Sequence, residues 1–263
     1  MRLRLVTSAL LVLFNSLAIG AQSPASAPTP NELADSVRRA IETSTELGDL
    51  AGIENAVALA ERAAGAGEGS ALLQHYHAYG LYRAGSLVLG RDGTARARPY
   101  FDRARDELET LVNGSTIPES VALLSAVYGM QIASAKVQFI AGMRLGPKSG
   151  AMIDSAVALA PRNPRIWLIR GIVAFNTPGS FGGGVDKAEA ALKRAIELFA
   201  GDTVAPPLPS WGRAEAHIWL GRTYVRESRR DAARAEYQAA LTLQSHNAWL
   251  TSTLIPALNR ETP

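Results

Sequence analysis

The sequence predicts an all-α protein, an α-solenoid of about four or five antiparallel helix pairs finished by a C-terminal capping helix. Two observations carry the class. Beyond Pro30 the chain is Ala-rich, with apolar residues at three-and-four spacing and no long β-branched alternation. Gly, Pro and Asn breaks then recur at intervals that leave about eleven helices.

The first element is not part of that array. Met1 is followed by Arg2 and Arg4, an apolar run from Leu5 to Ile19, and small residues at Ala18, Gly20 and Ala21, the three-part layout of a secretory signal peptide over residues 1–21. The run is shorter than the ~20 apolar residues of a spanning helix, and Asn15 interrupts it. Residues 22–30, with Pro24, Pro28 and Pro30 among Ser and Ala, read as a flexible linker, leaving 31–263 as the helical domain.

Within the domain the breaks fall at Gly48-Asp49, Gly65 to Gly67, Gly90 to Gly93, Asn113-Gly114, Gly146-Pro147, Pro161 to Pro164, Thr177 to Gly184, Gly201 to Pro209 and around Ser245. An N-terminal pair is expected over 32–47 and 49–64, and a single capping helix around 248–258. Apolar residues make up 47% of the chain and charged ones 19%, enough material for a core. Removing the leader takes two of 27 basic residues and leaves 25 against 24 acidic ones, so net charge argues for no nucleic-acid partner. No later stretch is apolar enough to span a bilayer; the best, Val121 to Met143, contains Gln131, Lys136 and Gln138. The absence of cysteine excludes disulfides, thiol catalysis, thiolate metal sites and a lipid-modified cysteine. A periplasmic or secreted protein is expected.

The regular breaks mark an internal repeat. Leu220-Gly221-x-x-Tyr224 is followed by Ala233, Tyr237 and Ala240; Trp167 and Gly171 by Ala188, Leu192 and Ala195; Tyr79-Gly80 by Ala97, Phe101 and Ala104. The last two units each carry five residues more than the pattern between their helices. A poorer unit, with Tyr128-Gly129, Ile153, Ala156 and Pro161, stands between them. The small residues are placed where helices cross closely and the aromatic ones where neighbouring pairs must be filled. The pattern resembles that of tetratricopeptide repeat (TPR) proteins over most of the domain, with departures at His217 and Ser245. The segment from Phe175 to Ala195 also resembles the lengthened repeat of periplasmic helical partners of TRAP-type transporters (TatT-like), which implies a pore-like ligand cavity and oligomerisation.

The TPR resemblance implies a concave surface lined by the first helix of each pair, gripping a peptide or protein. The register places Gln74, His77 and Leu81, then Leu123, Ala126 and Met130, then Arg165, Leu168, Ile172 and Phe175, then Glu215, Ile218, Arg222 and Val225 toward it. A second candidate is Phe181-Gly182-Gly183-Gly184, whose backbone amides before a helix suit an anion; the alternative is a tight turn with Phe181 tucked against the stack. His75 and His77, two apart on a helix, do not make a metal pair; His77 is read as an inner-face residue and His75 as its partly solvated neighbour. Arg222, Arg226, Arg229, Arg230 and Arg234 alternate with Glu215, Glu227, Asp231 and Glu236, a solvated face with local ion pairs. No Gly-x-Ser-x-Gly elbow occurs, so no catalytic residue, metal or cofactor is expected. The expected partner is another envelope or periplasmic protein binding in the groove, with a small-molecule ligand or transporter component as the alternative.

Overall fold

The computed structural model describes residues 28–67, 69–114 and 117–260. The expected signal peptide and most of the linker fall outside these residues. Within them there are eleven α-helices and no strand. They form five antiparallel pairs: α1 (Pro30–Leu47) with α2 (Leu50–Gly65), α3 (Ala71–Asp92) with α4 (Thr94–Gly114), α5 (Pro118–Ala133) with α6 (Gln138–Leu159), α7 (Pro164–Asn176) with α8 (Val185–Ala200), and α9 (Arg213–Arg226) with α10 (Arg230–Leu243). A π-helical turn, Leu250–Leu254, leads into α11 (Ile255–Arg260) and finishes the stack.

The helix starts are encoded locally. Thr29 accepts from the Glu32 amide while the Glu32 carboxylate accepts from the Thr29 amide, a complete capping box. Ser70 caps α3 through the Leu73 amide, and Asn163 caps α7 with Pro164 in its first turn. First helices α1, α3, α5, α7 and α9 touch in sequence and form the inner layer, with their partners outside. The tight crossings follow the repeat. A Cβ on Gly171 would stand 2.5 Å from Leu192 Cγ, and one on Gly221 would stand 2.4 Å from Tyr237 Cε1.

Two breaks differ from expectation. The chain stays helical through Gly146-Pro147 and interrupts instead between Ala133 and Gln138. A proline in a helix removes one backbone hydrogen bond and disfavours the turn before it, but tertiary bonds hold this turn. Ser125 Oγ donates to the Ser149 carbonyl at 2.7 Å, and Ser149 Oγ to the Ser125 carbonyl at 2.9 Å, clamping α5 to α6 two residues past the proline. The five-residue excess shared by two repeats also resolves in two ways. In α7–α8 it is a loop, Thr177–Gly184, whereas in α3–α4 it is absorbed as helix, leaving only Gly93 between 22- and 21-residue helices.

The array also closes on itself. The loop from Gly201 to Gly212 returns across the inner face: Tyr76 OH donates to the Pro207 carbonyl at 2.6 Å, Arg38 to Ser210 Oγ at 3.3 Å, and Trp211 stacks on Tyr79 with centroids 5.0 Å apart. Arg83 of α3 and Glu215 of α9 form an ion pair at 2.7 Å, and Arg91 donates to the Gly48 carbonyl near Ala248. The first pair thus meets the last.

Substituting Gly221→Ala forces the Tyr237 ring to move in a filled crossing and is expected to lower stability by about 1–3 kcal/mol. The check is a urea titration, in which the midpoint falls without a change in slope.

Candidate functional site

Closure of the array shapes a part-open cavity of about 1970 Å3 on the inner side. Its walls come from α3 (Tyr79, Tyr82, Arg83, Ser86), α5 (Ala126, Gly129, Met130), α7 (Trp167, Arg170, Ile172) and α9 (Glu215, Ile218, Trp219, Arg222), with Trp211 and Trp249 from the segments that close it. The remaining wall is unusual for a solenoid because a second helix supplies it. α6 makes little contact with α7, the splay opens the inner face, and α6 turns Gly142, Gly146 and Gly150 into the gap. A Cβ on Gly129, Gly146 or Gly150 would meet nothing within 4 Å, so these glycines leave empty volume rather than a close contact. The edge is apolar: Phe139, Met143 and Phe181 each line the cavity and are about two-thirds exposed.

Of the side chains that the repeat register turned inward, Ala126, Met130, Ile172, Glu215, Ile218 and Arg222 line this cavity. Gln74, His77, Leu81, Leu123, Arg165, Leu168, Phe175 and Val225 do not. On α7 the reason is the returning loop, which covers the first half of the helix. Arg165 is fully buried and ion-paired to Asp202 of that loop at 2.5 Å, and Leu168 packs beneath Gly212. Phe175 is covered in turn by Trp219, at 5.2 Å between centroids, and by two arginines. On α3 the flanking helices α2 and α4 take the expected face. His77 sits 3.2 Å from Glu61 and 3.7 Å from Glu107, and Leu81 is buried toward Val57 and Tyr100.

The histidine reading is corrected as well. His75 is fully buried, its Nδ1 2.8 Å from Ser120 Oγ and its ring stacked toward Tyr79, and burial pushes its pKa down to about 3. Among the described residues no group of three side chains is arranged to hold a metal ion, and no helix is long and apolar enough to cross a membrane.

The glycine loop does not form an anion cradle. The amides of Phe181 and Gly183 both donate to the Pro178 carbonyl, that of Gly182 to Gly179, and that of Gly184 to Ala174. All four donors are used within the turn, and Lys187 also closes on the Gly182 carbonyl at 2.8 Å. Gly183 is required because a Cβ there would stand 2.1 Å from the Thr177 oxygen. Phe181, rather than tucking against the stack, is exposed at the cavity edge.

The arginine run of α9–α10 also departs from the ion-paired face. Arg229 pairs with Glu189 and Glu227 as expected, and Arg234 reaches Asn259. Arg222 has no carboxylate or hydrogen-bond partner among the described residues. Its guanidinium lies 4.1 Å from the Trp219 centroid and 4.9 Å from those of both Phe175 and Trp249. Arg226 stacks on the same Phe175 at 3.4 Å and donates to its carbonyl. Four residues of the wall also carry buried polar atoms without partners among the described residues, namely Glu42 Oε1, Thr45 Oγ1, Trp211 Nε1 and Trp219 Nε1, each withdrawn from the open space itself.

The sequence carried signals for part of this site. Gly142-x-x-x-Gly146-x-x-x-Gly150 puts three glycines on one face of a helix, but the break placed at Gly146-Pro147 hid it. The aromatic cage around Arg222 unites residues 175, 219, 222 and 249 and has no local signature.

No protein-family model matches the chain, and neither does any curated protein. Its fold is that of TPR proteins. It is similar to TTC0263, a thermophilic TPR protein of Thermus thermophilus, at 22% identity over 85% of this chain and 99% of that one, with a TM-score of 0.58. It is also similar to the HusA haemophore of Porphyromonas gingivalis, at 20% identity over 78% of this chain and 96% of that one, with a TM-score of 0.58.

Two outcomes test the packing around the site. Asp202→Ala leaves the buried Arg165 charge unpaired and is expected to cost about 3–5 kcal/mol, while Arg165→Met with Asp202→Leu recovers most of it, as read by thermal or urea unfolding. The second concerns pH. The His75 pKa is held below its ordinary value of about 6.5, so the folded protein binds fewer protons than the unfolded chain; stability present above pH 6.5 is lost as pH falls toward 3, by about 1.4 kcal/mol per pH unit. Comparison with His75→Leu, whose unfolding free energy should show a flatter slope over that window, checks the sign.

Proposed function

We propose that this protein is an exported, non-catalytic binding scaffold that holds an amphipathic guest inside its inner cavity. The observation that carries the reading is the cavity itself. A stack closed by its own loop offers a part-open volume of about 1970 Å3, above the ~300–1,000 Å3 of ordinary small-molecule pockets and suited to a large or elongated ligand. The wall supports it: apolar and aromatic surface, a glycine face with open space, and the Arg222 guanidinium without a polar partner among the described residues, the usual composition of a ligand site. A cavity of this size accords with the resemblance to helical partners of TRAP-type transporters. The likeness to HusA, a haemophore, adds haem to the guests to be tested.

A second reading, a docking scaffold for another envelope protein, is favoured by one feature. Val137, Phe139, Ile140 and Met143 are 55–66% exposed within two turns at the start of α6, a concentration of bare apolar surface typical of interaction sites.

The test is to fill the cavity. Gly146→Leu with Gly150→Leu projects side chains into open space on a helix and replaces two poor helix formers, so stability should hold or rise by about 0.5–1 kcal/mol per site. The mature protein, isolated from its native envelope without denaturant, is expected to retain a small molecule detectable by native mass spectrometry, which the filled variant lacks. If both forms instead bring down the same protein and no small molecule, and Ile140→Glu abolishes that capture, the docking reading replaces the cavity.

A further inference from the structure

The cavity wall is positively charged although the mature chain is nearly neutral. Six basic and three acidic side chains line it, and each of the acids already has a cation: Glu42 with Arg38, Asp154 with Arg170, and Glu215 with Arg83. Of the cations left over, Arg91, Lys187 and Arg213 donate to backbone carbonyls of Gly48, Gly182 and Phe199. Arg222 is the exception, with neither carboxylate nor carbonyl among the described residues.

Its surroundings make that absence informative. Burying a charge is unfavourable unless it is paired, yet Arg222 is largely withdrawn from water, and Arg226, a second cation without a carboxylate, stacks on the same Phe175 ring. Ring faces offset part of this, since a guanidinium over an aromatic face gains roughly 0.5–2 kcal/mol, but they leave its in-plane N–H donors unused. Beside it the Trp219 indole N–H is buried with no acceptor. Burial, with the repulsion of Arg226, pushes the Arg222 pKa down to about 10, so the side chain stays charged at neutral pH. A fixed cation at the inner wall, with bare apolar surface at Phe139, Met143 and Phe181, complements a molecule with an anionic head and an apolar body.

We infer that Arg222, held by Phe175, Trp219 and Trp249, is the anion-recognition point of the cavity, and that the guest is a small amphipathic carboxylate. The inference rests on the cavity reading above and adds the chemistry of the ligand. The carboxylate takes the guanidinium donors in the fork geometry that arginine offers, and the aromatic cage keeps the fork from collapsing onto a surface acid. The apolar body runs along the glycine wall of α6.

The experiment is a calorimetric titration of the mature protein, below the micellar range, with dodecanoate, dodecyl phosphate, methyl dodecanoate and dodecylamine. Dodecanoate should bind at least tenfold more tightly than the ester and the amine. The phosphate arm fixes the head group: if it binds tenfold or more above dodecanoate, the carboxylate assignment is overturned. Arg222→Met should reduce dodecanoate affinity at least tenfold and leave the ester unchanged, while Arg222→Lys, which keeps the charge but loses the fork, should fall between the two. Circular dichroism confirms that the variants remain helical, and quenching of tryptophan fluorescence gives a second measure of binding at Trp219 and Trp249. Equal binding of acid, ester and amine, abolished by the Gly146→Leu/Gly150→Leu variant, would sink the anion site while leaving the cavity reading intact. Failure of all four probes and of the native guest search would sink both.

Discussion

The contact between the returning loop and the first helices governs this molecule. Trp211 stacks on Tyr79, Tyr76 reaches the Pro207 carbonyl, and Arg83 pairs with Glu215, so residues more than 130 positions apart are joined across the inner face. In an open solenoid each repeat touches only its neighbours, and stability is a sum of local terms. Here a non-local bond ties the second pair to the fifth. It deepens a concave surface into a part-open cavity, and it buries Arg165 and Leu168, which an open array would present to a partner.

Partial enclosure in turn changes the physics of what the wall can recognise. A guanidinium exposed on a groove is well solvated and makes weak pairs, whereas one withdrawn from water interacts more strongly with whatever anion reaches it. The splay of α6 from α7 supplies the room, and the glycine face keeps it free of side chains. The same splay exposes Phe139, Ile140 and Met143, apolar groups that a regular stack would cover with the next helix.

Much of the helical framework was legible because its determinants are local. The cap at Thr29, the breaks at Gly48, Gly93 and Pro161–Pro164, and the small residues opposite Tyr237 and Leu192 all act over a few residues. The misplaced break at Gly146-Pro147 shows where local rules yield, since proline's preference was outweighed by the reciprocal Ser125–Ser149 bonds to α5. The extra residues of two repeats make the same point. Similar insertions became helix beside Gly93 and a loop around Gly183, according to what packed against them.

The sequence by itself determined that the chain is all-helical, arranged in repeated pairs with a terminal cap, because helix periodicity, capping and the small-residue crossings are written within each forty-residue unit. The repeat register also turned Ala126 and Met130 of α5 and Glu215, Ile218 and Arg222 of α9 toward the wall they line, though Leu123 and Val225 fall outside it. Only the tertiary structure decided that the array closes, that eight of the fourteen expected inward side chains lie outside the cavity, and that Arg222 sits among three rings with no carboxylate partner among the described residues. Those outcomes depend on segments distant in sequence packing against one another, and no periodicity in a single unit records which loop will return or which helix will lean away.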